Sequence, residues 1–346
     1  MRTFLVTGGA GFIGSNFVHY LYNRYSDYRI LVLDLLTYAG NVDNLPAKYE
    51  ERDSRLEFWY GDVRNAALVE SLVRRADVVV HFAAESHVTR SIYDNYHFFE
   101  TDVIGTQVVA NAVLQHIRRI ERFIHISTSE VYGSALTQKM AEDHPLMPMS
   151  PYASAKTGAD RLVYSYWATY KLPAVIVRPF NNFGPRQHLE KLIPRFITSC
   201  LLDEPLTVHG DGSAMRDWLY VGDTCAALDK LIHCDRNDVI GEAINLGTGT
   251  HMSVAEIAHK VVKAMGKSNK LITYIGDRPG QVFRHTADAS KAERLLGWTP
   301  TVSFDEGLEK TISWYMGNVS WWRKQLWMRD VNGTTYIATT PTLKAA

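Results

Sequence analysis

The sequence predicts an α/β fold, a doubly wound parallel sheet with a smaller, partly interwoven α/β lobe, and three observations carry that expectation. Over residues 1–180 short apolar runs alternate with longer helical patterns, as parallel strands joined by crossover helices do. The first such run leads straight into Thr7-Gly8-Gly9-Ala10-Gly11-Phe12-Ile13-Gly14, a glycine-rich turn that opens a helix. After Pro179 the alternation weakens into shorter mixed segments, the pattern of a second lobe.

Taken in order, the strands expected are 2–7, 29–34, 56–60, 77–81, 121–126 and 173–178, each a short, largely apolar run. Residues 91–116 and 152–171 are long enough for full helices on the sheet faces. Beyond Pro179, 190–202 and 253–264 read as helices and Leu206-Thr207-Val208 as a strand. Neither an internal repeat nor a low-complexity linker separates the halves, so the lobes are expected to pack closely around a cleft. The division is 1–180 mainly dinucleotide-binding, 181–322 mainly substrate-binding with segments returning to the first half, and 323–346 a tail without assignment.

At 346 residues and 46 % hydrophobic, the chain has the length of roughly two domains and ample material for a core. Lysine plus arginine (37) balance aspartate plus glutamate (37), which disfavours nucleic acid or an anionic membrane as partner and makes any phosphate recognition local. Cys200, Cys225 and Cys234 are odd in number and contain no CxxC pair, against a disulfide framework or a structural zinc site. No basic flank with an apolar stretch precedes the first strand, and no run approaches the roughly 18 apolar residues of a membrane span. The expectation is a cytoplasmic protein. His81, His87 and His125 lie near different strand ends without ligand spacing, so no metal is expected. Trp321-Trp322 reads as C-terminal packing.

Gly8, Gly11 and Gly14 have the spacing of a Rossmann-type phosphate turn, in which glycine permits the tight turn, the approach of pyrophosphate to backbone N–H groups, and helix packing on the strand. Asp34, 20 residues after Gly14 at the end of the second strand, can accept hydrogen bonds from an adenosine ribose. Its carboxylate would repel a 2′-phosphate, and Leu35 and Leu36 supply no cation, so NAD is favoured over NADP. Asp62, after the third strand, is placed to face the adenine. Tyr152 and Lys156, one helical turn apart, can make and hold a phenolate: the lysine charge stabilises a phenol whose ordinary pKa is near 10. The hydroxyl of Thr128, after the fifth strand, can bond the same substrate oxygen. A phenol beside a nicotinamide is the apparatus for oxidising an alcohol.

These motifs resemble the extended short-chain dehydrogenase/reductase family acting on nucleotide sugars, and within it the dTDP-glucose 4,6-dehydratases. The resemblance is carried also by Asp34-Leu35-Leu36-Thr37-Tyr38-Ala39-Gly40-Asn41, Ala83-Ala84-Glu85-Ser86-His87-Val88, Asn181-Asn182-Phe183-Gly184-Pro185, Glu190-Lys191-Leu192-Ile193-Pro194, Arg216-Asp217-Trp218-Leu219-Tyr220-Val221 and Asp277-Arg278-Pro279-Gly280. It implies a self-contained redox cycle. Tyr152 takes the 4-hydroxyl proton as hydride passes from C4 to NAD; Glu130 removes the acidified C5 proton; water leaves from C6 and the hydride returns there. It further implies that Phe12, Ile13, Val63, Ala83 and Ala84 line the NAD site. Arg216 and Arg278 would meet the diphosphate in guanidinium forks, with Ser86, Asn181, Lys191, Leu192 and Asn245 around the nucleotide sugar. A homodimer through the helices near 98–116 and 152–171 is implied as well.

Three positions depart from the dehydratase pattern. Ser129 stands where those enzymes usually carry the aspartate that protonates the leaving 6-hydroxyl, Gln281 where a histidine is usual, and Thr89 where an aspartate is usual. A serine hydroxyl is too weak an acid to replace that aspartate directly, yet GDP-mannose 4,6-dehydratases are similar to this chain in carrying Thr-Ser-Glu. Nucleotide-linked glucuronate decarboxylases resemble it too and share Gly184-Pro185-Arg186, whereas Glu190 to Pro194 match the dehydratase form. A C4 epimerase needs no group at C5, which Glu130 disfavours. A non-catalytic NAD-binding regulator would be expected to have lost one of Thr128, Glu130, Tyr152 and Lys156.

Overall fold

Short, largely apolar segments become the strands of a seven-stranded sheet in the computed structural model, which describes residues 1–46, 55–276 and 282–329. They are β1 (Arg2–Thr7), β2 (Tyr28–Asp34), β3 (Leu56–Tyr60), β4 (Val78–His81), β5 (Arg122–Ile126), β6 (Ala174–Pro179) and β7 (Ala243–Leu246). Their order is β7-β6-β5-β4-β1-β2-β3, with every neighbouring pair parallel. The first six begin and end within one residue of their expected bounds. The seventh comes from the second half of the chain. Strand order reverses between β1 and β4, and the crevice at the carboxyl ends there is where such sheets bind ligands.

Both faces of the sheet are covered, which is why its strands alternate so little in polarity. On one face Val69, Leu72, Val109, Val113 and Val163 of helices Ala66–Val73, Thr106–Gln115 and Pro151–Tyr170 pack on Leu5, Leu31, Val79 and Phe123. On the other, Phe17, Leu21, Leu228 and Leu296 of helices Phe12–Arg24, Val221–His233 and Ser290–Leu296 pack on Phe4, Val6, Ile30 and Ile124. A separate core joins Phe183, Ile193, Phe196, Val208, Ile257, Val261 and Tyr315 with Trp321 and Trp322. The tryptophan pair is thus packing: Trp321 Nε1 donates to Asn44 Oδ1 at 2.9 Å, tying the end of the described chain to the β2 side. Residues 330–346 of the unassigned tail lie outside the described residues.

Helix Pro151–Tyr170 has a defined start and stop. Ser150 caps the Ala153 N–H at 3.1 Å, proline follows in the first turn, and Lys171 ends the helix in the left-handed region at φ 57°. The single helix expected over 91–116 is instead divided. Val88–Tyr93 stops at Asp94, and Tyr96–Phe98 widens into a π-helical turn, Phe99–Gly105, before Thr106–Gln115 resumes α geometry. Apolar spacing does not report such a bulge, which re-aims one side chain; here it buries Asp102 behind the site.

Asp160 and Arg178 join helix Pro151–Tyr170 to β6. Arg178 donates from Nε and Nη2 to the two Asp160 oxygens, both at 2.9 Å, and Ser127 Oγ donates at 2.7 Å. Burial opposes the Asp160 charge, and the Arg178 guanidinium more than offsets it, holding the carboxyl well below its usual range. The stabilisation is therefore present above the ordinary carboxylate range and lost as pH falls towards the depressed folded value. Asp160→Asn is expected to cost about 3–5 kcal/mol by leaving Arg178 buried without its counter-charge, read in urea unfolding at neutral pH, with the gap to the parent protein narrowing in acid.

Candidate active site

One cavity of about 880 Å³ opens at the carboxyl ends of β1, β4 and β5 and runs from the glycine turn to the second lobe. Its volume is in the range of cofactor and ligand pockets. Gly8, Gly11, Phe12, Ile13 and Gly14 form one end. A Cβ on Gly14 would stand 2.3 Å from Gly8 O, and one on Gly8 (φ 69°) 2.5 Å from Ala83 N, so turn and helix meet closer than any side chain allows. Gly11 is the N-cap of helix Phe12–Arg24 and offers no side-chain cap, leaving first-turn N–H groups directed at the cavity. Gly14→Ala is expected to abolish retention of dinucleotide through purification, measured as bound nucleotide per chain after acid release.

Asp34 ends β2 against this turn. Its Oδ2 accepts the Ala10 N–H at 2.9 Å and its Oδ1 that of Leu36 at 2.8 Å, while burial raises its pKa. Leu36, at φ 54°, turns the chain away. Asp62, Val63, Ala83 and Ala84 complete this wall, with Asp62 held by Arg64 Nη2 at 2.7 Å. This donor and acceptor set fits a dinucleotide: helix N–H groups for pyrophosphate, and an acid at the strand end for ribose with, among the described residues, no cation bonded to it.

Thr128, Ser129, Glu130, Tyr152 and Lys156 line the middle of the same cavity. Thr128 Oγ1 accepts the Glu130 N–H at 3.2 Å, starting a short 3-10 turn, Ser129–Tyr132, and its hydroxyl also bonds the Tyr152 phenol. Lys156 Nζ donates to the Ile126 carbonyl at 2.7 Å. Burial, and after it the Asp102 carboxylate, pushes the Tyr152 phenol up, against the Thr128 bond. Burial pushes the Lys156 ammonium down, while Asp102 and Asp160 oppose it. A phenolate here thus needs a second positive charge close by, which an oxidised nicotinamide carries.

Asp102 is a site residue that the sequence reading missed. Its Oδ1 accepts the Glu85 N–H at 2.8 Å, Oδ2 has no hydrogen-bond partner among the described residues, and burial pushes its carboxyl up to about 8. Only the π-helical turn aims it there, so nothing in local spacing signalled it.

At the far end stand Ser86, Asn181, Lys191, Leu192 and Arg216, all on the cavity wall. Lys191 Nζ donates to Ser86 O at 2.7 Å, and Arg216 is 7 % exposed. Glu190, completely buried at its side chain and paired with Arg90 Nε at 3.0 Å, and Arg195, one turn beyond Lys191, also face the cavity. A reading of Glu190-to-Pro194 as one motif could have extended to both. Asn245, expected around the nucleotide sugar, is placed elsewhere. It is 0 % exposed on β7, its amide donates to Met140 O at 2.9 Å, and its oxygen accepts the Tyr132 hydroxyl at 2.7 Å. A buried residue of the edge strand with its amide saturated internally serves packing. Arg278 and Gln281 lie outside the described residues. His81 is held between Thr7 and Thr106 at 2.6 and 3.0 Å, and His87 caps the Arg90 N–H.

A dinucleotide turn at the switch point and a Thr–Tyr–Lys cluster beside it define the class, the extended short-chain dehydrogenases/reductases. The family described as GDP-mannose 4,6 dehydratase matches residues 5–311. The chain belongs to that family. It is 49 % identical to the low-salt glycan biosynthesis protein Agl12 of Haloferax volcanii, over 91 % of this chain and 98 % of that protein. It is 42 % identical to a dTDP-glucose 4,6-dehydratase of Actinoplanes, over 92 % and 99 %. The crystal structure of DesIV, a dTDP-glucose 4,6-dehydratase from Streptomyces venezuelae solved with NAD bound, superposes with a TM-score of 0.88 at 40 % identity, over 94 % of this chain and all of that one.

Proposed function

We propose that this protein is an NAD-dependent nucleotide-sugar 4,6-dehydratase, converting a dTDP- or UDP-hexose to its 4-keto-6-deoxy form. The observation that carries the reading is Glu130 on the same wall as Thr128, Tyr152 and Lys156, one cavity serving C4 and C5 of a single sugar. When bound, NAD supplies the redox chemistry, accepting hydride from C4 and returning it at C6. Tyr152 takes the 4-hydroxyl proton, Thr128 orients that oxygen, and Lys156 favours the phenolate. Glu130 takes the C5 proton, which the 4-keto group has made acidic. Arg216, Lys191 and Asn181 hold the nucleotide end.

A decarboxylase or C4 epimerase would use the same tyrosine, but an epimerase leaves Glu130 without work. Proton NMR in deuterated water decides among them, with dTDP-glucose, UDP-glucose, UDP-N-acetylglucosamine, GDP-mannose and UDP-glucuronate in separate tubes. A new C6 methyl signal with deuterium at C5 is the expected result. Carbon dioxide release, or an inverted 4-hydroxyl without C5 exchange, would replace the dehydratase reading by decarboxylase or epimerase.

The same reading assigns residues 1–180 mainly to NAD and 181–322 mainly to the nucleotide sugar. It makes the protein cytoplasmic and a homodimer; among the described residues no helix is long and apolar enough to cross a membrane. Phe99, Ile104, Tyr164 and Tyr170, each at least 43 % exposed on the two helical segments expected at the dimer interface, support that assembly.

A further inference from the structure

Ser129 stands where an acid would protonate the departing C6 oxygen, and a serine hydroxyl alone is too weak for that step. The structure places an imidazole behind it. His285 is completely buried, with Nδ1 3.4 Å from Ser129 Oγ and 3.9 Å from Glu130 Oε1. Its other nitrogen, Nε2, lies 2.7 Å from the Gly133 carbonyl oxygen. A carbonyl only accepts, so Nε2 carries the proton and Nδ1 of the neutral ring is left as an acceptor directed between Ser129 and Glu130. The segment that carries the ring is tied down on both sides. Met215 O accepts the His285 main-chain N–H at 3.1 Å, Ala135 N–H bonds Arg284 O at 3.2 Å, Met140 N–H bonds Thr286 O at 2.8 Å, and Phe180 packs on the ring edge to face at 6.2 Å. Such multiple anchoring of a buried, polar side chain outside the cavity wall is the arrangement that positions a reacting group.

We propose that His285 couples Ser129 and Glu130 into one proton relay for the loss of water, with Ser129 protonating the C6 oxygen. The inference rests on the dehydratase reading above. Glu130 receives the C5 proton, and the C5–H electron pair becomes the C5=C6 π bond. As the C6–O bond breaks, its electron pair stays on oxygen, which takes the Ser129 Oγ proton and leaves as water. Glu130 passes the proton it took from C5 to the free Nδ1 of His285, and Nδ1 then passes it to the Ser129 oxygen. The C5 proton has then replaced the proton given to water, and every group ends as it began. His285 is a positioning residue: it touches Ser129 and Glu130 and acts on the sugar through them. Burial lowers its pKa and Glu130 raises it, with the Arg216 guanidinium opposing protonation, so the charged ring is stabilised when Glu130 has given up its proton.

The test separates the two halves of the reaction by chemical quench and mass spectrometry, scoring 4-keto-hexose with its 6-hydroxyl against the 4-keto-6-deoxy product. H285Q and S129A are each expected to slow water loss about 10²-fold while C4 oxidation stays within about threefold, so that 4-keto-hexose accumulates. The S129A/H285Q pair is expected to be no slower than either alone, because one relay is broken once. S129D, which restores a direct acid, is expected to return most of the rate to H285Q. Equal loss of both half-reactions in H285Q, or an S129D/H285Q enzyme as slow as H285Q, would overturn the relay and leave the dehydratase reading standing. If H285Q does not fold by circular dichroism, accumulation of 4-keto-hexose in S129A decides instead, its absence overturning the relay. A parent enzyme that forms neither compound from any of the five nucleotide sugars would overturn both.

Discussion

Tyr152→Phe is expected to slow C4 oxidation by about 10²–10⁴-fold, the range of one acid–base group, with nucleotide-sugar affinity within about threefold of the parent. The change removes one oxygen from a ring that stays packed edge to face against Phe98 at 6.3 Å, so folding and cavity shape are kept. What it removes is, among the described residues, the only phenol on the cavity wall that bonds Thr128 and lies one helical turn from Lys156. Burial and Asp102 hold that phenol above its ordinary pKa, so the protein withholds the phenolate until positive charge stands beside it. Parent activity is accordingly expected to rise with pH from the acid side through neutrality. Single-turnover formation of the 4-keto product, set against calorimetric affinity, checks the prediction; equal weakening of binding and rate would assign Tyr152 to ground-state binding.

Glu130→Gln is expected to have a comparable effect on a different step. The amide is isosteric, keeps the main-chain bond to Thr128 Oγ1, and lacks a basic oxygen for the C5 proton. C4 oxidation should continue within a few-fold, while C5 deuterium exchange and the C6 methyl signal fall by about 10²–10⁴-fold. Loss of both signals with retained 4-keto-hexose separates a C5 base from a C4 residue. Unchanged C5 exchange in the variant would remove Glu130 from the mechanism.

The strands of the first half were legible because most of them are short, largely apolar runs between polar residues, and such runs survive in sequence as contrast. The glycine turn was legible because close backbone approach at Gly8 and Gly14 admits no other residue. Tyr152 and Lys156 needed only helical spacing. The division of the expected 91–116 helix was not legible: a π turn keeps the same side chains and alters only the hydrogen-bond register, which polarity does not encode. Asn245 was misplaced for a related reason. An amide near a strand end is compatible with a ligand or with its own core, and only β7 pairing beside β6 puts it against Met140 and Tyr132.

The sequence by itself determined the class of fold, the dinucleotide turn and the identity of the groups that can exchange protons with an alcohol, because each is written within one strand, one turn or one helical repeat. Tertiary structure alone decided which distant groups govern them. Asp102 reaches the Tyr152–Lys156 pair from a neighbouring helix, and His285 reaches Ser129 across 156 positions of chain. Burial in a shared low-dielectric interior makes those contacts strong, and burial is a property of the packed whole that no local spacing records.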